Sequence, residues 1–167
     1  MQSTNPRTIF KRRTGTVMRG KRQRGVAAVE FSLLLPVLLL ILLGIAQFSW
    51  LISNFIIVTQ AASVGAHQFA SERGFSTPYS DTVSIVTNAL GPLRTGFSIS
   101  TSVNGVACTS DSACQAALGT MSNAPAAGST ATVTLGHAFS PLYAGAWGAL
   151  ASIMPKNITS TMTEVIQ

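Results

Sequence analysis

From Phe31 to Ala46 the chain reads FSLLLPVLLLILLGIA, and no formal charge occurs between Glu30 and Glu72 when His67 is neutral. A helix needs about 20 apolar residues to cross the hydrocarbon core of a bilayer. Val26 to Phe48 supplies that length with Glu30 as its one charged member, so a membrane-spanning helix is expected there. A cleaved secretory signal is the competing reading, and it expects an apolar stretch of about 7 to 15 residues closed by small residues. This run is longer and continues into Phe48, Trp50, Leu51 and Ile52.

The net charge of +6 is distributed unevenly. Arg7, Lys11, Arg12, Arg13, Arg19, Lys21, Arg22 and Arg24 precede the apolar run, and no carboxylate precedes Glu30. From Val26 onward three cations (Arg73, Arg94, Lys156) face five carboxylates (Glu30, Glu72, Asp81, Asp111, Glu164), a net charge of −2. The basic character therefore belongs to a leader, residues 1–25, which is too polar to fold alone. Lys and Arg beside a membrane helix stay cytoplasmic, which places the leader inside and the C-terminal part outside the cytoplasmic membrane. A nucleic-acid partner needs cations spread over a folded face, and three scattered ones do not supply it.

At 167 residues the chain has room for one small domain beside the membrane segment. Past the apolar run, Phe48, Ile52, Phe55, Val58, Ala62, Ala66 and Phe69 step by three or four, while Ser49, Ser53, Gln60, Ser63 and His67 form another stripe. One continuous helix over residues 26–70 is expected, its first third loosened by Pro36. Arg73-Gly74 ends it, and Thr77-Pro78 opens a second helix that Gly91-Pro92 stops. Phe97, Ile99, Thr101 and Val103 alternate up to Asn104-Gly105, a hairpin signal. Residues 130–137 and 157–165 are further strand candidates, separated by a stretch carrying Tyr143 and Trp147. The expected architecture is α+β: a long N-terminal membrane-spanning helix packed on a small antiparallel sheet, one further helix, and residues 71–167 as the extracytoplasmic domain. Sequence alone leaves Trp50, Tyr143 and Trp147 open between a membrane interface and the domain core.

Cys108 and Cys114 are the only cysteines, and the topology puts them where disulfides persist. A structural bridge closing CTSDSAC is the favoured reading; a metal pair is weaker, with five intervening residues and no neighbouring His or further Cys. A redox pair is weaker still. His67 and His137 have no hydroxyl or carboxylate motif around them, and there is no nucleophile elbow, phosphate-binding glycine loop or carboxylate pair. Neither an enzyme nor a cofactor is expected.

RQRGVAAVEFSLLLP, Arg22 to Pro36, is the most informative stretch, because a carboxylate at the edge of an apolar run is costly and calls for a partner. Gly25 followed by Val26-Ala27-Ala28-Val29-Glu30-Phe31 resembles the processing site of type IV prepilin-like proteins. In these a membrane peptidase cuts after the glycine, and the glutamate becomes the fifth residue of the mature chain. RGVAAVEFSLLLPVLLLILLGIAQF is similar to the TadE-like proteins of the tight-adherence (Flp) pilus system, with the likeness running from about Arg24 to Ala70. TVTLGHAFSPLY and NITSTMTEV resemble that family's closing strands less specifically. The chain is shorter than the von Willebrand-domain members of the same cluster, and Phe31 stands where some relatives have tyrosine.

The resemblance implies a minor pilin or pseudopilin needed for an adhesive pilus and for surface attachment. It implies cleavage between Gly25 and Val26, and an assembly role for Glu30 and Phe31. The implied partners are a prepilin peptidase, other pilin-like subunits, the pilus machinery and the lipid bilayer. An uncleaved single-pass anchor carrying a binding module or adhesin is the alternative.

Overall fold

The computed structural model describes residues 23–120, 122, 128–142 and 154–167. The leader up to residue 22, and Tyr143 and Trp147 between the last two strands, lie outside the described residues. In chain order the elements are α1 (Gln23–Ser71), α2 (Pro78–Leu90), a 3-10 turn (Gly91–Leu93), β1 (Phe97–Val103), β2 (Val106–Cys108), α3 (Asp111–Leu118), β3 (Thr130–Ala138) and β4 (Asn157–Val165). The architecture is α+β. The chain divides into two compact units, Met1–Ile41 and Leu42–Gln167. In the first, the described part is helix with exposed apolar side chains; the second holds the core.

The sheet has the order β2-β1-β3-β4 and is antiparallel throughout. Asn104 and Gly105 form the β1–β2 turn with φ of 49° and 81°, the left-handed pair that a two-residue hairpin requires. Thr101, Val103, Ala131, Val133, Leu135 and Ile158 line the covered face. On the other face Thr132 meets Thr163 at 2.9 Å and Thr134 meets Thr161 at 3.0 Å through their hydroxyls.

From α1, Val58, Ala61, Ala62, Ala66, Phe69 and Ala70 enter the core. Phe69 is fully buried, which stabilises the domain by roughly 1.5–3 kcal/mol. The small residues let three elements meet closely: a Cβ placed on Gly65 would fall 2.5 Å from Val86 Cγ2 of α2 and 3.5 Å from Val133 Cγ1 of β3. Pro78 sits at the start of α2, and Thr82, Val86 and Leu90, spaced by four, are its buried face.

Two expectations need correction. The apolar stripe holds from Val58 onward, but Phe48, Ile52 and Phe55 are exposed, whereas Gln47 and Asn54 are buried. Gln47 turns inward because the chain between β3 and β4 supplies its partners: Leu142 N donates to Gln47 Oε1 at 3.2 Å, and Gln47 Nε2 lies 3.5 Å from Met154 Sδ. Asn54 Nδ2 donates to the Trp50 carbonyl at 2.8 Å. The second is α3, a second further helix that begins inside the cysteine loop and runs on past Cys114. Ser110 caps it, its Oγ accepting from Ala113 N at 3.3 Å, and Cys114 and Leu118, four apart, are its buried residues.

Asp111 joins α3 to α2. Ser80 Oγ donates to its Oδ2 at 2.6 Å and Ser80 N to its Oδ1 at 2.8 Å. Ser80 N is among the first amides of α2, which lack partners within the helix. These two bonds, the hydroxyl's first, hold the Asp111 carboxyl below its ordinary value. A carboxyl lowered on folding stabilises above its unfolded pKa, about 3.9, and that contribution fades as pH falls through the lower folded value. Asp111→Asn is therefore expected to melt below wild type at neutral pH and to match it below the carboxylate range, as thermal melts at the two pH values would show.

Candidate functional site

Gly25, Val26, Glu30 and Phe31 lie together in the first turns of α1. Val26 and Phe31 are each 61% exposed, Glu30 is exposed, and nothing lies within 4 Å of a Cβ built on Gly25. The Gly25–Val26 bond falls within the opening turn of α1, so cutting there gives up only the few bonds that the carbonyls of Gln23, Arg24 and Gly25 accept from amides four residues on, and Val26 becomes the new helix start. Glu30 stands four residues beyond Val26, which puts the two on one helix face. Ser32 Oγ donates to the Val29 carbonyl at 2.8 Å. Pro36 withholds the amide that would otherwise bond to the Ser32 carbonyl.

The helix from Gly25 to Ser71 is long and apolar enough to cross a membrane, and is a candidate span. Side chains from Gly25 to Leu42 are exposed, a row of Leu, Val, Ile and Phe that water does not favour and hydrocarbon does.

Residues 25–67 match the family model for TadE-like protein. The chain carries a TadE-like N-terminal segment. No curated protein matches the chain, and no solved structure does. The TadE-like match contains Gly25, Val26, Glu30, Phe31 and Pro36, and extends into the buried stripe of α1 as far as His67. The sheet, α2 and the cysteine pair lie beyond the matched residues.

Cys108, at the end of β2, and Cys114, in α3, are joined with Cα atoms 5.1 Å apart. Both are buried, and Thr101 Oγ1 lies 3.6 Å and 3.7 Å from the two sulfurs. The bridge ties α3 to the short edge strand. It closes so small a loop that its loss costs less than about 3 kcal/mol. Alkylation of denatured, unreduced protein from fresh membranes should label neither thiol; labelling of both would show that the bridge does not form in cells.

His67 is exposed on α1, and His137 lies on β3 with its Nδ1 buried and unpartnered. Among the described residues no group of three or more His, Cys, Asp or Glu side chains is placed to hold a metal ion. What the sequence reading missed is the polar clamp on α1. Trp50 Nε1 donates to the Ser140 carbonyl at 3.3 Å, one turn from the Gln47 contacts. Its signal was Gln47 itself, an amide near the end of an otherwise apolar run.

Proposed function

We propose that this chain is a minor pilin-like or pseudopilin-like subunit required to assemble a tight-adherence pilus, and for the surface attachment that follows. It is made as a precursor whose basic leader lies in the cytoplasm, and a prepilin peptidase cuts it between Gly25 and Val26. The apolar part of α1 spans the cytoplasmic membrane once and leaves residues 71–167 outside. The single observation that carries this reading is the TadE-like match beginning at Gly25, on a helix whose first turns expose Gly25, Val26, Glu30 and Phe31.

In this account the chain works by assembly. The span holds the subunit in the bilayer beside other pilin-like subunits, cleavage creates a new α-amino group at Val26, and the pilus machinery draws the helix out of the lipid. Glu30 and Phe31 act at that stage, the carboxylate by pairing with an ammonium and the ring by packing against a neighbouring helix.

Gly25→Leu tests the processing step. The glycine has open space around its Cα, so a larger side chain disturbs no packing in this chain and acts on the peptidase. The expected result is a full-length precursor in the membrane and no pili. Normal processing of Gly25→Leu would remove Gly25 as the cleavage determinant, and piliated cells holding uncut wild-type protein would favour the anchored binding module.

A further inference from the structure

One end of the domain is marked by hydrogen bonds. There β3 stops and β4 begins, with Phe139 N donating to the Lys156 carbonyl at 2.9 Å. The same end is held to one turn of α1 by the bonds of Trp50 to Ser140 and of Leu142 to Gln47. At the opposite end Gln167 N reaches the Ala70 carbonyl at 3.4 Å and the Asn104-Gly105 hairpin turns. Val103 pairs with Ala131, and Phe97 with His137. At about 3.3 Å per residue, the hairpin therefore stands roughly 20 Å from the first end.

The turn of α1 that receives these bonds has a defined depth. Val26 to Phe48, at 1.5 Å per residue, covers about the thickness of the hydrocarbon core, so Gln47 to Trp50 emerge among the headgroups. Ser140 and Leu142 are hydrogen-bonded to that turn and so share its level. The residues there have the character of an interface. Trp50 is 41% exposed with its N–H satisfied, Leu142 is 52% exposed, and Lys156 is exposed. A tryptophan with a wet tip and an apolar ring, an outward leucine and a lysine able to reach phosphate suit the headgroup layer of a bilayer.

We propose that the end of the domain carrying Trp50, Leu142 and Lys156 rests on the phospholipid surface, so that the domain itself, and not only α1, contacts the bilayer. The occupant follows from continuity: α1 passes from hydrocarbon directly into this rim. The inference rests on the membrane span proposed above. The β1–β2 hairpin, at the other end of the sheet, lies outside that contact.

The test uses the full chain in phospholipid bilayers, with a nitroxide on one introduced cysteine at a time, the native pair being bonded. Leu142→Cys, Val106→Cys and Leu38→Cys place the label at the rim, the far hairpin and the span. Accessibility to oxygen, which concentrates in lipid, is compared with that to a water-soluble nickel complex. The Leu142 label should show an oxygen-to-nickel ratio several-fold above that of Val106 and below that of Leu38. A Leu142 label as water-exposed as Val106, or shielded from both reagents by another protein, would overturn the rim contact while Leu38 still reports lipid. A water-exposed Leu38 label would overturn the span and the rim contact together.

Discussion

Cells whose only copy is Glu30→Gln are expected to insert the protein, cut it after Gly25 and make no pili. The proposed cleavage would remove all eight leader cations and leave the new ammonium of Val26 as the nearest positive charge to Glu30. A carboxylate drawn into hydrocarbon is unfavourable, by roughly 3 kcal/mol at mid-bilayer on insertion scales and by less near the edge, so an unpaired Glu30 is a liability that pairing relieves. Within one helix the terminus and the fourth residue beyond it are neighbours, which permits an intrasubunit pair. Between subunits the same pair fixes the axial register of two helices, which the apolar side chains around it cannot do. Glutamine keeps the shape and the hydrogen-bonding capacity and removes only the charge. Wild-type piliation with processed Glu30→Gln would make Glu30 an ordinary interfacial residue.

Gly65→Leu should unfold the unit that holds the core while leaving the apolar run of α1, residues 26–48, unchanged. A Cβ at this position already lies within 2.5 Å of Val86 Cγ2, and a valine in a helix is held near one rotamer, so the methyl does not swing away. Overpacking costs about 1–3 kcal/mol and more for several added carbons, a large part of the 5–15 kcal/mol that a domain commands. Gly65→Ala should be milder, since alanine regains about 1 kcal/mol of helix propensity. Combining Gly65→Ala with Val86→Ala should recover part of the loss, a coupling that thermal melts of the four species would measure. A Gly65→Leu protein with wild-type protease resistance and melting temperature would refute the close contact of α1 with α2.

The parts of the fold that were legible in sequence are those where the backbone obeys local chemistry. Asn104-Gly105 announces its turn because few other pairs take two positive φ values, and β4 reads directly from the alternation in NITSTMTEV. Pro78 and Gly91 bound α2 because one residue presets the helical φ and the other leaves it. The helix α3 was not legible because its eight residues bury only Cys114 and Leu118, too few to show a period, although Ser110-Asp111 at its start and Gly119 at its end are ordinary helix punctuation.

The outward turn of Phe48, Ile52 and Phe55 was not legible, for a different reason. Periodicity arguments assume that apolar faces point to a protein core, and the first turns past a membrane span have lipid and neighbouring helices as alternatives. Which face Gln47 took depended on Leu142 and Met154, about a hundred residues away. Of the candidate site, Gly25, Val26, Glu30 and Phe31 fall within seven consecutive residues and so were visible together. The clamp of Gln47, Trp50 and Ser140 is assembled only by the fold.

The intact mass of the protein extracted from membranes of piliated cells tests the central claim most directly. The account requires a chain that begins at Val26, lacks residues 1–25 and is two hydrogen atoms lighter than its reduced form for the Cys108–Cys114 bridge. A mass corresponding to a chain that retains Met1, in cells that make pili, would contradict it.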